Sequence, residues 1–355
     1  MFFWFHHSNS TAFQGRPPKW TPLKSATKLP EDNGKYFRDR NAAQFPAHPI
    51  EPAVIASMAA DPALPSKVDI VACGGTLSNL LRFARGEEKA FRISAELVNG
   101  TAFLIRHENS PTEIIPDVRG YGHSFPEAYT TWDRDVKGSL SHQRVISYTF
   151  GGLNILVRFE PDGYITQHSK EKAHVLSEKA PYVDTNTSLD EINRLLSENT
   201  VTTKSPTDSM TLTVLDGGSP VDQASVFDLK TRASWKQHID ILGEELPRLW
   251  IAQISKFILG FHENGVFNKI QVRDVADNVK KWEKGHASEL SNFAALLHRV
   301  IDLLLNEPSG RLEFRHSGNM ELAVYAQLPE VNKALSPSVE KRWKEAWLAE
   351  HSDEK

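Results

Sequence analysis

FGGLNILVRFEPDGY, Phe150 to Tyr164, reads as a β-strand that runs out into a turn. Side chains alternate faces along a strand, so Leu153, Ile155, Val157 and Phe159 are predicted to point into a core. Asn154, Leu156, Arg158, Glu160 and Asp162 then share the opposite face. Glu160 and Asp162 would lie side by side. Such carboxylates resist joint ionisation unless a cation lies between them, and a pair of oxygens at that spacing suits Mg²⁺ or Mn²⁺. The plainer reading is a strand that runs out into a Glu-Pro-Asp-Gly turn, where Asp and Gly are ordinary residues.

Farther along, ASVFDLKTRASW at 224–235 carries the same alternation. Ala224, Val226, Asp228 and Lys230 fall on one face, and Ser225, Phe227 and Leu229 on the other. A lysine two residues after an acid can complete a metal-dependent phosphodiesterase site. The carboxylates hold the ion while the ammonium steadies developing charge or orients water. Asp-x-Lys alone is common; an E-x-D strand followed by a D-x-K strand is more specific.

Around these two strands the chain alternates helix and strand signals. VDIVAC from Val68 reads as a buried strand, Gly74-Gly75 as a turn, and Thr76 as the cap of a helix carrying Leu77, Leu80 and Leu81. Phe91–Ala95 and Thr101–Arg106 form a hairpin around Asn99-Gly100. Pro126-Glu127 fits the first turn of a helix running through Tyr129 and Trp132. Gln143–Phe150 pairs with Leu153–Glu160 across Gly151-Gly152. A polar insertion occupies 165–208, with a capping-box helix at Ser188 and Glu191 and a strand at Met210–Leu215 after it. Glu244–Lys256 has helical spacing, with Pro247 near its start and Gln253 on it. A hairpin around Asn264-Gly265, an amphipathic helix over 287–305, a hairpin 312–326 and a helix opened by Ser336-Pro337 complete the chain.

With 355 residues, 40% hydrophobic and 24% charged, the chain can bury a large core. Its net charge of −4 gives no general polyphosphate-binding surface. The single cysteine, Cys73, excludes an intramolecular disulfide and points to a reducing compartment. No stretch reaches the length of a membrane span. The expected fold class is α/β, with mixed sheets flanked by helices in one large domain over 67–335. A wrapping segment, 1–66, precedes it, and a helix and tail, 336–355, follow.

The order of motifs resembles the DXO/Rai family of RNA 5′-end decapping nucleases, whose core is PD-(D/E)XK-like. VDIVACGGTLSNLL and ISAELVNGTAFLIR are similar to the family's opening strand, helix and hairpin. YGHSFPEAY at 121–129 resembles its Gly-x-x-Phe-Glu helix, with Pro126 between Phe125 and Glu127. FGGLNILVRFEPDGY resembles its Glu-hydrophobic-Asp strand, and VFDLKTR its Glu-x-Lys strand with Asp228 for Glu. LWIAQISKFILGFHENGVFNKIQV resembles the Trp-Ala-Gln helix and following hairpin. One departure stands out: Gly74 takes the place of an arginine.

The resemblance implies that Glu127, Glu160, Asp162, Asp228 and the carbonyl of Leu229 hold Mg²⁺ or Mn²⁺. Lys230 acts with Asp162 and Asp228 in catalysis, and Gln253 contacts the scissile phosphate or the water. Backbone N–H groups at Gly74 and Gly75 could cradle substrate phosphate. The implied activity is metal-dependent hydrolysis of RNA 5′ ends. The partners are an RNA 5′ end and, as for some relatives, a 5′-to-3′ exonuclease, in the nucleus or cytoplasm. Two alternatives stand beside it: a binding module on the same fold that has lost turnover, and a DNA nuclease.

Overall fold

The fourteen strands of the computed structural model, which describes residues 16–107, 110, 112–137, 139, 141–166, 174–175, 219–319 and 321–351, divide between two mixed sheets. The predicted capping-box helix at Ser188 and the strand at 210–215 lie outside the described residues, as does nearly all of the polar insertion. The first sheet orders its strands β5 (Thr130–Thr131), β1 (Lys19–Trp20), β8 (Gly163–Tyr164), β10 (Val226–Ala233), β11 (Lys256–Glu263), β12 (Val266–Asp274) and β9 (His174–Val175). The second runs β14 (Leu322–Ala326), β13 (Arg311–His316), β3 (Phe91–Val98), β4 (Thr101–Arg106), β2 (Ile70–Cys73), β7 (Leu153–Phe159) and β6 (Arg144–Phe150). The expected α/β class with mixed sheets and flanking helices is what forms.

Among the described residues, eight α-helices cover these sheets: α1 (Arg40–Gln44), α2 (Glu51–Ala60), α3 (Gly74–Ala84), α4 (Ser124–Tyr129), α5 (Ile241–Ile251), α6 (Ala276–Gly285), α7 (Ala287–Asn306) and α8 (Pro337–His351). The second sheet is buried on both faces. Ile155 and Val157 of β7 pack with α3 and with Leu290, Phe293, Leu297, Val300 and Leu304 of α7. Leu156 packs on the other face with Val54 and Met58 of α2 and Trp343 of α8. On the face opposite Ile155 and Val157, Leu156 and Arg158 are buried too, because helices cover this part of the sheet on both sides, and Asn154 near the strand's start is exposed.

The first sheet is sandwiched in the same way. Phe227 and Leu229 face Trp20, Phe125 and Tyr129, whereas Val226 faces Ile241, Leu242 and Leu249 of α5. Helix α5 connects the parallel pair β10 and β11, and its Trp250 and Ile251 join the core of the other sheet. It is thus the wedge between the sheets.

Several boundaries differ from the sequence reading. Helix α3 begins at Gly74, so Thr76 lies in its first turn and not at its cap, bonding Cys73 Sγ at 3.0 Å. Helix α4 starts at Ser124 and stops at Tyr129. Buried Asp32 accepts the N–H groups of His123 and Ser124, each at 2.9 Å, and so secures an earlier start than Pro126 would set. Helix α5 starts at Ile241, with Asp240 as its cap accepting Gly243 N–H at 3.0 Å, and Pro247 falls inside it.

Candidate functional site

Strand β7 ends at Phe159, and the next three residues, Glu160, Pro161 and Asp162, carry the chain from the second sheet to the first. That crossing separates the two acids expected to share a face. Asp162 lies along β10: its N–H donates to Phe227 O at 3.2 Å, and its Oδ2 accepts Leu229 N–H at 2.6 Å. Glu160 stays among Gln143, Arg40 and Arg158. Loss of surrounding water raises its carboxyl, against the opposing pull of Arg40, Gln143 and Arg158.

On β10 the period-two reading gives the arrangement seen. Asp228, only 2% exposed, points with Val226 toward α5. There Arg248 bonds it through Nη2, and the same guanidinium donates from Nε to Glu245 Oε2 at 2.9 Å. Lys230 follows on the same side, its Nζ 3.8 Å from Glu245 Oε1. Burial raises the Asp162 carboxyl to about 7, with the nearby Asp228 charge adding to the rise and Lys230 and Arg248 opposing it. Asp228 and Glu245 in turn raise Arg248, keeping it firmly charged.

These groups form one constellation: Asp162 and Asp228 as acids, Lys230 and Arg248 as cations, and Glu245 between the two cations. Arg248 and Glu245 are absent from the sequence-based set. Their only signal is an acid and a base three apart on the helix that follows the D-x-K strand.

The other predicted site residues lie elsewhere or serve locally. Glu127, exposed on α4, acts on Tyr36, whose phenol is raised by burial, Asp32 and Glu127. Gln253 is not on a helix: α5 ends at Ile251, and Gln253 turns the chain into β11 with φ of 51°. Its Nε2 donates to Trp250 O at 2.5 Å, while Gln223 Nε2 holds the carbonyls of Ala252 and Gln253 at 2.8 and 3.1 Å. Gly74 and Gly75 open α3 with ordinary φ, and a Cβ at Gly74 would meet Phe159 at an easy 3.5 Å.

Among the described residues, no group of three or more His, Cys, Asp or Glu side chains is arranged to hold a metal ion. What fits a divalent cation is smaller: two carboxylates close enough that one raises the pKa of the other, which is the relation a shared cation relieves. Arg248 supplies one positive charge to that pair.

A family model described as Domain of unknown function (DUF8563) matches residues 3–310. A search of curated proteins finds no match. Among solved structures, Candida albicans Rai1 in complex with pU5 and Mn²⁺ is similar at a TM-score of 0.53 and 12% identity, over 83% of this chain and 80% of that one. Rai1 of S. pombe gives a TM-score of 0.53 at 9% identity, covering 88% of each chain. Scheffersomyces stipitis Rai1 in complex with (3′-NADP)⁺ and calcium gives 0.52 at 13% identity, over 84% and 79%. At these identities the likeness shows the fold, which is Rai1-like.

Proposed function

This chain belongs to the family Domain of unknown function (DUF8563), and we propose that it is a metal-dependent hydrolase of RNA 5′ ends, cutting a phosphodiester or pyrophosphate bond. The observation that carries the reading is the convergence of Asp162, Asp228 and Lys230 beside β10 in a chain with a Rai1-like fold. Asp162, Asp228 and the Leu229 carbonyl would hold Mg²⁺ or Mn²⁺. A bound ion would polarise the phosphate and lower the pKa of an attacking water. Lys230 lies where an ammonium can meet the charge that develops on phosphate. Leu229 N–H fixes one oxygen of Asp162, which leaves the other to face the site. The RNA 5′ end is the substrate, a 5′-to-3′ exonuclease the candidate partner, and the nucleus or cytoplasm the compartment.

Hydrolysis of RNAs bearing monophosphate, triphosphate, cap or NAD 5′ ends, in Mg²⁺ or Mn²⁺, tests the reading. Asp162→Asn and Asp228→Asn should each lower the rate by at least about 100-fold while the protein stays folded. Near-normal rates in both variants would sink the site.

The Arg248 bond to Asp228 favours a second reading, a binding module without turnover, because a guanidinium already neutralises the acid. RNA binding that survives EDTA and both substitutions, with no product from any end, would select it. Preference for DNA in the same assay would select the DNA nuclease.

A further inference from the structure

Strands β4, β2 and β7 run parallel, with Ala72 beside Leu104 and Val157 and Cys73 beside Arg158. Their carboxyl ends emerge together, carrying Arg106, Cys73 and Arg158, and α3 leaves from Gly74 directly beyond β2. Carboxyl ends of adjacent parallel strands are where open α/β sheets place ligands. A cavity of 340 Å³ opens there, lined by Cys73, Arg106, His107 and Arg158 among others. None of Asp162, Asp228, Lys230 and Arg248 lines it.

Arg158 sets its chemistry. The side chain is 9% exposed; it forms an ion pair with Asp39, whose Oδ2 stands 3.6 Å from Nη2, beyond hydrogen-bond length, and its charge also reaches Glu160. The other Asp39 oxygen is engaged, accepting Ala42 N–H at 2.9 Å to cap α1. Among the described residues, Nε and Nη1 of Arg158 have no hydrogen-bond partner. A buried guanidinium with unmet donors is costly, and its planar fork matches an oxyanion. Arg106 adds a second cation: its Nη1 lies 3.9 Å from where a Cβ on Gly75 would stand, along the start of α3, which has no side-chain cap. Helix starts favour anions. Asp39, Glu96, Glu330 and Lys333 line the cavity as well; Glu96 Oε2 accepts Ala334 N–H at 2.7 Å, and Lys333 bonds Glu340 at 3.0 Å.

We infer that this cavity is an oxyanion subsite that takes a phosphate group on the Arg158 fork, with Arg106 as its second cation. Phosphate binding on the Arg158 fork requires no hydrolysis at the Asp162–Asp228 pair, which does not line the cavity.

The test titrates the full chain with inorganic phosphate and, separately, with uridine 5′-monophosphate at constant ionic strength, reading calorimetric affinity and the thermal midpoint. Saturable binding is expected, weakened about 10-fold or more by Arg158→Gln and about 3-fold or more by Arg106→Gln. Arg158→Lys, which keeps the charge but loses the fork, should bind between the wild type and Arg158→Gln, and Lys230→Gln should change affinity by less than about 2-fold. Tighter binding of the nucleotide would name a nucleotide phosphate as the ligand, and equal binding would name free phosphate; either supports the site. Should Arg158→Gln fail to fold, Arg158→Lys and Arg106→Gln carry the comparison. No saturable response of the folded wild type to either probe, or weakening that follows Lys230→Gln instead of the two arginines, would overturn the inference.

Discussion

Arg248 answers Asp228 and Glu245 with one guanidinium, so its removal should act on two properties in opposite directions. Arg248→Gln leaves a buried carboxylate without its strongest partner and should cost about 1–2 kcal/mol, since Arg248 itself is 41% exposed. The same change lifts a positive charge from the acid pair and should tighten Mn²⁺ binding by about 10-fold. Denaturant unfolding reads the first effect and paramagnetic titration of Mn²⁺ the second; unchanged Mn²⁺ affinity would mean that the guanidinium does not compete for the pair. At this scale the sequence was partly legible. Asp228 and Lys230 lie on one side because β10 is regular and its period is two. Glu160 and Asp162 part because the strand stops at Phe159, and alternation says nothing beyond a strand's end. The Glu245–Arg248 spacing is the only mark of Arg248 in the sequence; its place beside Asp228 depends on how α5 crosses β10, a tertiary fact.

Elements report the same division between local and distant causes. The hairpins at Asn99-Gly100, Gly151-Gly152 and Asn264-Gly265 were readable because turn chemistry is local, and each pair has positive φ at both residues. Helix α7 was readable because its apolar positions recur at helical spacing and all meet one core. Leu297→Ala, at a fully buried position of that face, should lower stability by about 2–4 kcal/mol, measured by thermal or denaturant unfolding. Helix α5 starts earlier than its sequence suggests because Pro247, tolerated near a helix start, sets the expected start at Glu244, whereas Asp240 caps a helix that opens at Ile241, three residues earlier. Strand β8 is only two residues long, and its dependence on Gly163 is spatial. A Cβ there would come within 2.5 Å of the Phe227 ring and 2.6 Å of Pro18 O. Gly163→Ala should therefore destabilise by about 1–3 kcal/mol and pull Asp162 away from Leu229 N–H, weakening any activity along with the melting temperature. A variant as stable as wild type would show that β8 can shift without cost.

For the molecule as a whole, two buried groups pull its acid response in opposite directions. Burial and Arg144 lower His142 to about 4. Between pH 6.5 and that value the unfolded chain takes a proton the native one refuses, so stability is complete above the ordinary histidine range and falls by up to about 3 kcal/mol as pH drops. Asp162, raised to about 7, holds its proton in the native state where the unfolded chain has lost it. Its contribution falls as pH rises from the ordinary aspartate range toward neutrality. Denaturant unfolding across pH 4–7 should show a shallow net slope; His142→Gln should tilt it toward acid stability and Asp162→Asn toward neutral stability. If both variants keep the wild-type slope, other groups govern the response. The two sheets have a further consequence. In the described strands the chain passes from one sheet to the other five times, between β1 and β2, β4 and β5, β5 and β6, β7 and β8, and β12 and β13. Neither sheet is a contiguous length of polypeptide, and β3 waits for its neighbour β13, whose Arg311 pairs with Glu96. A ribosome must therefore release the chain through β12, to Asp274, before the first sheet can close, and through β14, to Ala326, before the second can. Refolding should be slow, as non-local pairing demands, and a cut anywhere between β2 and β12 yields fragments that must find each other before either has a complete sheet.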